Sequence, residues 1–411
     1  MRICGIVTEY NPFHLGHSRH LSETRARLGP DAAVVCCMSG DFVQRGEAAI
    51  LPKYLRAEAA VRCGADLVLE LPAPYALLSA EGFAESAVSL LAGLNVITDL
   101  SFGAEDADVP LLQSLADTLL EHRTVQDTLC HLRTGISYAA AREKALYDRI
   151  CGQAVLLRKP NNILAVEYCK AVRKLSLPWT LHAVPRVGAP HDGPTEDGLP
   201  SAAALRRMLR GGDASALDFL PPGSREVMDR ALSQGLALLD PARLEHAALD
   251  RLCRMSPEDF SALPGAAEGL EHRIYAAVRA CRSLDAVCAS AKTRRYPAAR
   301  IRRMLCCAYL DFPKELTALP PPYIRVLALS DIGRIVLRQA ADECMLPILN
   351  KPAHVRQLPA WAQQVFAAAA QGADLYDLAL PAWARLKFGA DWKRGAQYLP
   401  SAGPVEERDG P

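Results

Sequence analysis

The sequence predicts an α/β protein, a doubly wound parallel sheet followed by a mostly α-helical domain. Three observations carry this. Strand-like runs alternate with helical segments of about 12 residues, the pattern of parallel β-α-β units. Several of those runs lack polar alternation, as strands do when both faces of a sheet are covered. Beyond about residue 212 the chain becomes rich in Ala and Leu at helical spacing, with little strand signal.

The elements follow in order. Residues 2–8 (R-I-C-G-I-V-T) read as a buried strand, and residues 14–28 as a helix ended by Gly29-Pro30. Residues 32–38 form a second strand closed by Ser39-Gly40, and residues 52–63 a helix with Gly64 at its C-terminus. Residues 65–71 are a third strand, 79–91 a helix, 96–102 a fourth strand and 109–121 a helix. A helical pattern continues to residue 175, and residues 180–187 return as a strand. A loop rich in Gly, Pro and Asp spans 188–200, and a helix follows over 201–209. Gly and Pro cluster at 210–222, which sets the expected division: a catalytic domain over 1–212, a helical domain over 213–400 and a loose tail over 401–411. A Rossmann-like sheet of this kind takes its ligand beyond the C-terminal strand ends, where strand order reverses.

Composition narrows the class. The chain has 411 residues, half of them hydrophobic and 23% charged, which excludes disordered, collagenous and low-complexity classes. The 47 Lys and Arg against 46 Asp and Glu leave a net +1, so a globally basic coat for nucleic acid is excluded while a local basic face is not. The 13 Cys include the adjacent pairs Cys36-Cys37 and Cys306-Cys307 but no C-x-x-C, so they read as free thiols in a reducing, cytoplasmic setting rather than as a metal quartet. No signal peptide and no run of about 18 apolar residues is seen, so no membrane partner is expected.

The segment Thr8-Glu9-Tyr10-Asn11-Pro12-Phe13-His14-Leu15-Gly16-His17 carries the chemistry. A strand ends, the chain turns, and H-x-G-H opens a helix, whose N-terminus offers free N–H groups and the positive end of a dipole to a phosphate chain. Gly16 permits close approach of a backbone or base. His14 and His17 are three apart, share a helix face, and can donate to an α-phosphate whose charge grows in the transition state. Four other segments stay open between two readings. Lys159-Pro160-Asn161-Asn162 either caps a helix or reads a base edge, and Ser101-Phe102-Gly103 is either a turn or a close approach to adenosine. Ser201 is an N-cap with Arg206 on the second turn, solvated or reaching a phosphate, and residues 39–47 form a substrate loop or a plain one. Six of the twelve residues 292–303 are basic and none acidic, so a helix begun by Pro297, with Arg300 and Arg303 on one face, suits RNA phosphates or is simply a solvated face.

Taken in this order, these segments, with Gly64-Ala65-Asp66-Leu67-Val68-Leu69-Glu70-Leu71-Pro72 and residues 186–192, resemble the tRNA(Met) cytidine acetate ligase family of the H-x-G-H nucleotidyltransferase-like superfamily, over most of the chain. The resemblance implies two steps: ATP and acetate give acetyl-adenylate and pyrophosphate, then the acetyl group passes to N4 of the wobble cytidine of elongator tRNA(Met). It implies that His14 and His17 are catalytic. It implies ATP binding by Val7, Thr8, Glu9, Tyr10, Asn11, Pro12, Phe13, His14, Gly16, His17 and His20, completed by Gly103, Asn162, Arg186, Ser201 and Arg206. Lys292, Arg294, Arg295, Arg300 and Arg303 would hold tRNA. Mg²⁺ would enter with ATP through phosphates and water, with no protein ligand named. The chain departs from the family pattern at Asp41, where Asn is expected, at Ala203, where Thr is expected, and at Ala189-Pro190, where Gly-Tyr is expected. Two other classes remain: a small-molecule adenylyltransferase, against which the long helical half argues, and a non-catalytic RNA-binding protein.

Overall fold

The computed structural model describes residues 1–150, 153–186 and 199–400. Most of the loop expected at 188–200 and the tail expected at 401–411 lie outside the described residues. The N-terminal half runs β1 (Ile3–Thr8), α1 (Leu15–Leu28), β2 (Ala33–Ser39), a hairpin of β3 (Phe42–Val43) and β4 (Glu47–Ala48), α2 (Lys53–Arg62) and β5 (Leu67–Leu71). It continues with α3 (Ala73–Ala76), α4 (Ala80–Gly93), β6 (Asp99–Ala104), α5 (Val109–Leu120), α6 (His122–Leu132), α7 (Tyr138–Ile150), α8 (Pro160–Lys174), β7 (Thr180–Pro185) and α9 (Ala202–Arg210). The rest is α10 (Pro222–Gln234), α11 (Pro241–Arg254), α12 (Pro257–Ser261), α13 (Leu270–Ala280), α14 (Leu284–Ala291), α15 (Ala298–Leu310), β8 (Ile324–Leu329), α16 (Asp331–Ala341), β9 (Ile348–Leu349), α17 (Ala360–Asp377) and β10 (Gln397–Tyr398).

The main sheet has the order β10-β8-β5-β2-β1-β6-β7, with β9 also on β8. Neighbours from β5 to β7 are parallel, as read from the sequence, whereas β8 runs antiparallel to β5. Alternation along β2 explains its apolar run. Ala33, Val35 and Cys37 pack into one core with Leu90 and Leu91 of α4 and Val166 of α8. Val34, Cys36 and Met38 enter a second core with Leu21 of α1 and Ala57 and Ala60 of α2. Both faces are covered, so neither needs polar residues. A third core lies among α11, α13, α14, α15 and α17, and Phe42 of the hairpin inserts into it. The hairpin therefore joins sheet and helical parts. Strand order reverses at β1, which lies between β2 and β6, and this sets the ends of β1 and β6 side by side.

The helical part returns a strand that the sequence pattern did not suggest. β8 reads I-R-V-L-A-L, and Arg325 within it looks like a solvated residue. It is instead 2% exposed. Arg325 Nη1 lies 3.1 Å from Glu70 Oε2 of β5 and 2.9 Å from Asp391 Oδ2, and Nη2 donates to the Tyr54 hydroxyl at 2.6 Å. Lys53 Nζ meets the same two carboxylates, Glu70 at 2.7 Å and Asp391 at 2.5 Å, with Asp41 at 3.7 Å. Asp41 Oδ1 also accepts the Lys53 backbone N–H at 2.7 Å. The departure at Asp41 is thus accounted for: its carboxylate caps α2 and balances buried cations that an amide would leave short of one charge.

Candidate active site

The turn between β1 and α1 is built by its two histidines. His14 is the N-cap of α1, and its Nδ1 accepts the Gly16 N–H at 3.0 Å. His17 returns the bond, its Nδ1 accepting the His14 N–H at 3.2 Å. The two rings lie 3.9 Å apart. Burial and the neighbouring guanidinium of Arg186 push His14 down to about 3, and burial with the His14 ring holds His17 well below the usual imidazole range. Both are therefore neutral at physiological pH. With each Nδ1 accepting from backbone, each ring carries its proton on Nε2. His14 Nε2 is buried with no partner, as is Asn11 Nδ2 one turn earlier. Gly16 also makes room within the chain: a Cβ there would lie 2.8 Å from His14 Cε1, where the His14 ring packs.

A cleft of about 1010 Å³ opens over this turn. Of the expected ATP residues, Val7, Thr8, Glu9, Tyr10, Asn11, His14, Gly16, His17, His20, Gly103, Arg186, Ser201 and Arg206 line it. Pro12, Phe13 and Asn162 do not. Phe13 is 1% exposed and packs in the second core. Asn162 is fully buried and its side chain is spent on the protein: Oδ1 accepts the Asp106 N–H at 3.0 Å, and Nδ2 donates to Asp106 Oδ2 at 2.7 Å and to the Leu156 carbonyl at 3.2 Å. It ties α8 to the loop after β6. Its neighbour Asn161 reaches the cleft and accepts from Arg186 Nη1 at 2.6 Å. Both asparagines lay in the motif, and only burial tells the tether from the cleft-lining residue. His20, pushed down to about 4 by burial, places Nε2 2.9 Å from Ser101 Oγ, which lies 2.8 Å from Thr24 Oγ1.

The rim is fixed by α9. Ser201 Oγ caps it by accepting from the Ala204 N–H at 3.2 Å. Arg206 Nη1 donates to the Asn11 carbonyl at 3.0 Å, and its Nη2 lies 3.6 Å from Glu47 Oε2. Gly103 faces open space, for a Cβ there would meet nothing within 4 Å. Packing within the chain therefore does not require glycine at this point, whereas a ligand lying against β6 would. Gly103→Leu is expected to fold normally and to weaken ATP binding at least tenfold, measured by calorimetry beside a melting curve.

The basic segment forms the far wall of the same cleft. Arg295, Arg300 and Arg303 line it, whereas Lys292 and Arg294 are exposed and stand outside it. Arg295 forms a two-pronged pair with Glu268, at 2.7 Å and 3.1 Å, and Arg300 lies 3.7 Å from the same carboxylate. Arg303 is pushed down to about 10 by burial and by the Arg300 charge. Its backbone touches the hairpin: a Cβ on Gly46 would come within 2.6 Å of Arg303 N. Of the substrate loop expected at 39–47, Val43, Gln44, Arg45 and Glu47 line the cleft.

A lobe made by Phe83, Tyr138, Arg142, Glu167 and Tyr168 was not read from the sequence. Glu167 and Lys170, three apart and 2.7 Å from each other, look like a surface pair on a helix but are buried. No short motif marks them. Among the described residues there is no group of three His, Cys, Asp or Glu side chains that could hold a metal ion, and no helix long and apolar enough to cross a membrane.

Comparison with known proteins agrees with this geometry. The HIGH Nucleotidyl Transferase family matches residues 1–389. The tRNA(Met) cytidine acetate ligase of Fervidobacterium nodosum is 36% identical over 361 residues, covering 85% of this chain and 84% of the relative. That of Clostridium perfringens is 33% identical over 368 residues, covering 85% and 90%. The crystal structure of Thermotoga maritima TmcAL bound with alpha-thio ATP superposes with a TM-score of 0.91 at 30% identity, covering 98% of this chain and all of that one. The chain belongs to the tRNA(Met) cytidine acetate ligase family, within the HIGH nucleotidyl transferases.

Proposed function

We propose that this protein uses ATP to activate acetate and transfers the acetyl group to N4 of the wobble cytidine of elongator tRNA(Met), in the cytoplasm. The observation that carries it is the pair of neutral imidazoles, each with an Nε2–H donor, in a cleft whose far wall is the basic helix α15. In the first step an acetate oxygen attacks the α-phosphorus, a new P–O bond forms, and the bond to pyrophosphate breaks. Donors on His14 and His17 are most useful where charge builds on the α-phosphate oxygens, because they bind that state better than the ground state. The Nε2 of His14, which has no protein partner, and the space beside Gly103 fit a nucleotide. Mg²⁺ bound to ATP through its phosphates and water would neutralise phosphate charge. We assign residues 1–212 to activation and the helices of 213–400 to holding RNA, while β8, β9 and β10 from that half complete the sheet of the first.

The decisive assay supplies ATP, acetate and tRNA(Met) without acetyl-CoA and looks for N4-acetylcytidine by mass spectrometry. Its absence, beside acetate-independent pyrophosphate release, would make the protein an adenylyltransferase of small molecules. The double variant Arg300→Ala, Arg303→Ala is expected to weaken tRNA binding and to flatten its salt dependence by up to about 2 units of log–log slope. Pyrophosphate exchange without RNA separates lost binding from lost fold.

A further inference from the structure

The second half of the proposed reaction needs a base. The N4 amino group of cytosine is amide-like, with its lone pair drawn into the ring. Attack on the acyl carbon leaves that nitrogen positive until a proton departs. Among the described residues, five carboxylates line the cleft: Glu9, Glu47, Glu81, Glu167 and Glu268. Four are held by cations at ion-pair distance. Glu47 lies 3.6 Å from Arg206, Glu81 2.9 Å from Lys170, Glu167 2.5 Å from Arg142, and Glu268 2.7 Å from Arg295. The imidazoles are occupied otherwise, since Nδ1 of His14 and of His17 accepts from backbone and His20 Nε2 lies against Ser101. Glu9 is different. Its Oε1 accepts the Gln44 N–H at 3.0 Å, which orients the carboxylate, and no cation pairs with it at salt-bridge distance among the described residues.

We propose that Glu9 is the general base of acetyl transfer, taking the proton from N4 as the amine attacks acetyl-adenylate. The N–C bond forms, the bond from the acyl carbon to the phosphate oxygen breaks, AMP leaves, and the proton rests on the Glu9 carboxylate before passing to water. Burial raises Glu9 above the ordinary carboxylate range, against the Gln44 N–H and the charges of Arg206, Arg45 and Arg56. The Tyr168 hydroxyl is raised by burial and then by the Glu9 charge. A carboxylate moved toward neutrality accepts a proton more readily in the transition state.

This inference rests on the proposed function. The test is single-turnover transfer to a tRNA(Met) transcript from enzyme preloaded with ATP and acetate. At saturating ATP, Glu9→Gln is expected to slow transfer by at least 100-fold and by at least tenfold more than it slows acetate-dependent pyrophosphate exchange, in which any part of Glu9 in holding ATP would show. Glu9→Asp, which keeps the carboxylate on a shorter arm, is expected to recover part of the transfer rate. In the wild type that rate rises with pH through the titration of Glu9 and then levels, and Glu9→Gln loses the rise. Transfer by Glu9→Gln at the wild-type rate, or an equal loss of exchange and transfer, overturns the assignment. A wild-type enzyme that forms acetyl-adenylate but no N4-acetylcytidine sinks the functional reading and this one with it.

Discussion

Replacing His17 by alanine is expected to lower acetate-dependent ATP–pyrophosphate exchange by about 10²–10³-fold, the usual cost of removing one donor from a developing oxyanion. Two losses combine. The Nε2–H donor disappears, and the His14 N–H loses the acceptor that completes the α1 cap. His17→Asn separates them, since an amide can still accept at the cap but has no imidazole in the cleft. If donation matters, Asn behaves like Ala in exchange while melting like the wild type. An unchanged rate in His17→Ala would remove His17 from the mechanism. The pH dependence gives an independent check. His14 titrates near 3, so it does not charge between pH 5 and 8, and His17 lies well below the ordinary imidazole range, so exchange should show no limb at the ordinary imidazole value. The stability sign follows. Between the unfolded imidazole value of about 6.5 and the folded values, the unfolded chain binds more protons. The stabilisation from keeping these rings neutral is thus fully present above that value and is lost as pH falls toward 3.

Arg325→Met is expected to destabilise the protein by about 3–5 kcal/mol, because it leaves Glu70 and Asp391 short of a buried cation. Urea unfolding measures the loss. Lys53 stays against the same carboxylates but cannot offset both. Arg325→Met with Asp391→Leu should recover part of the stability, since removing a matched pair costs less than stranding one charge. A single variant as stable as the wild type would mean that the network is held by Lys53 alone. The network also connects α2 and β5 with β8 and the turn at Ala390–Trp392, so the double variant tests whether the two ends of the chain are held by charge or by packing.

The local signals were strong where chemistry and secondary structure use the same residues. H-x-G-H following the first strand was legible because a turn and an N-cap require small or hydrogen-bonding residues at fixed spacing. The apolar runs of β1, β2 and β5 were legible because cover on both faces removes polar alternation. Arg325 and Glu167 were not, since a charged residue reads as solvated until its partners are known, and those partners stand far off in the chain or on another face. Asn161 and Asn162 were legible as a motif, but not which of them turns inward.

The sequence by itself determined the parallel sheet, the H-x-G-H turn after its first strand, the family and the presence of one basic segment. These depend on local periodicity and on residue types at short spacing. Only the tertiary structure decided that the basic segment walls the same cleft as the histidines, that β8 joins the sheet antiparallel, and that Glu9 alone among the cleft's described carboxylates has no cation in ion-pair range. Each is a matter of which distant groups meet. Burial and charge pairing set basicity and tautomer, and neither quantity exists until the chain has folded.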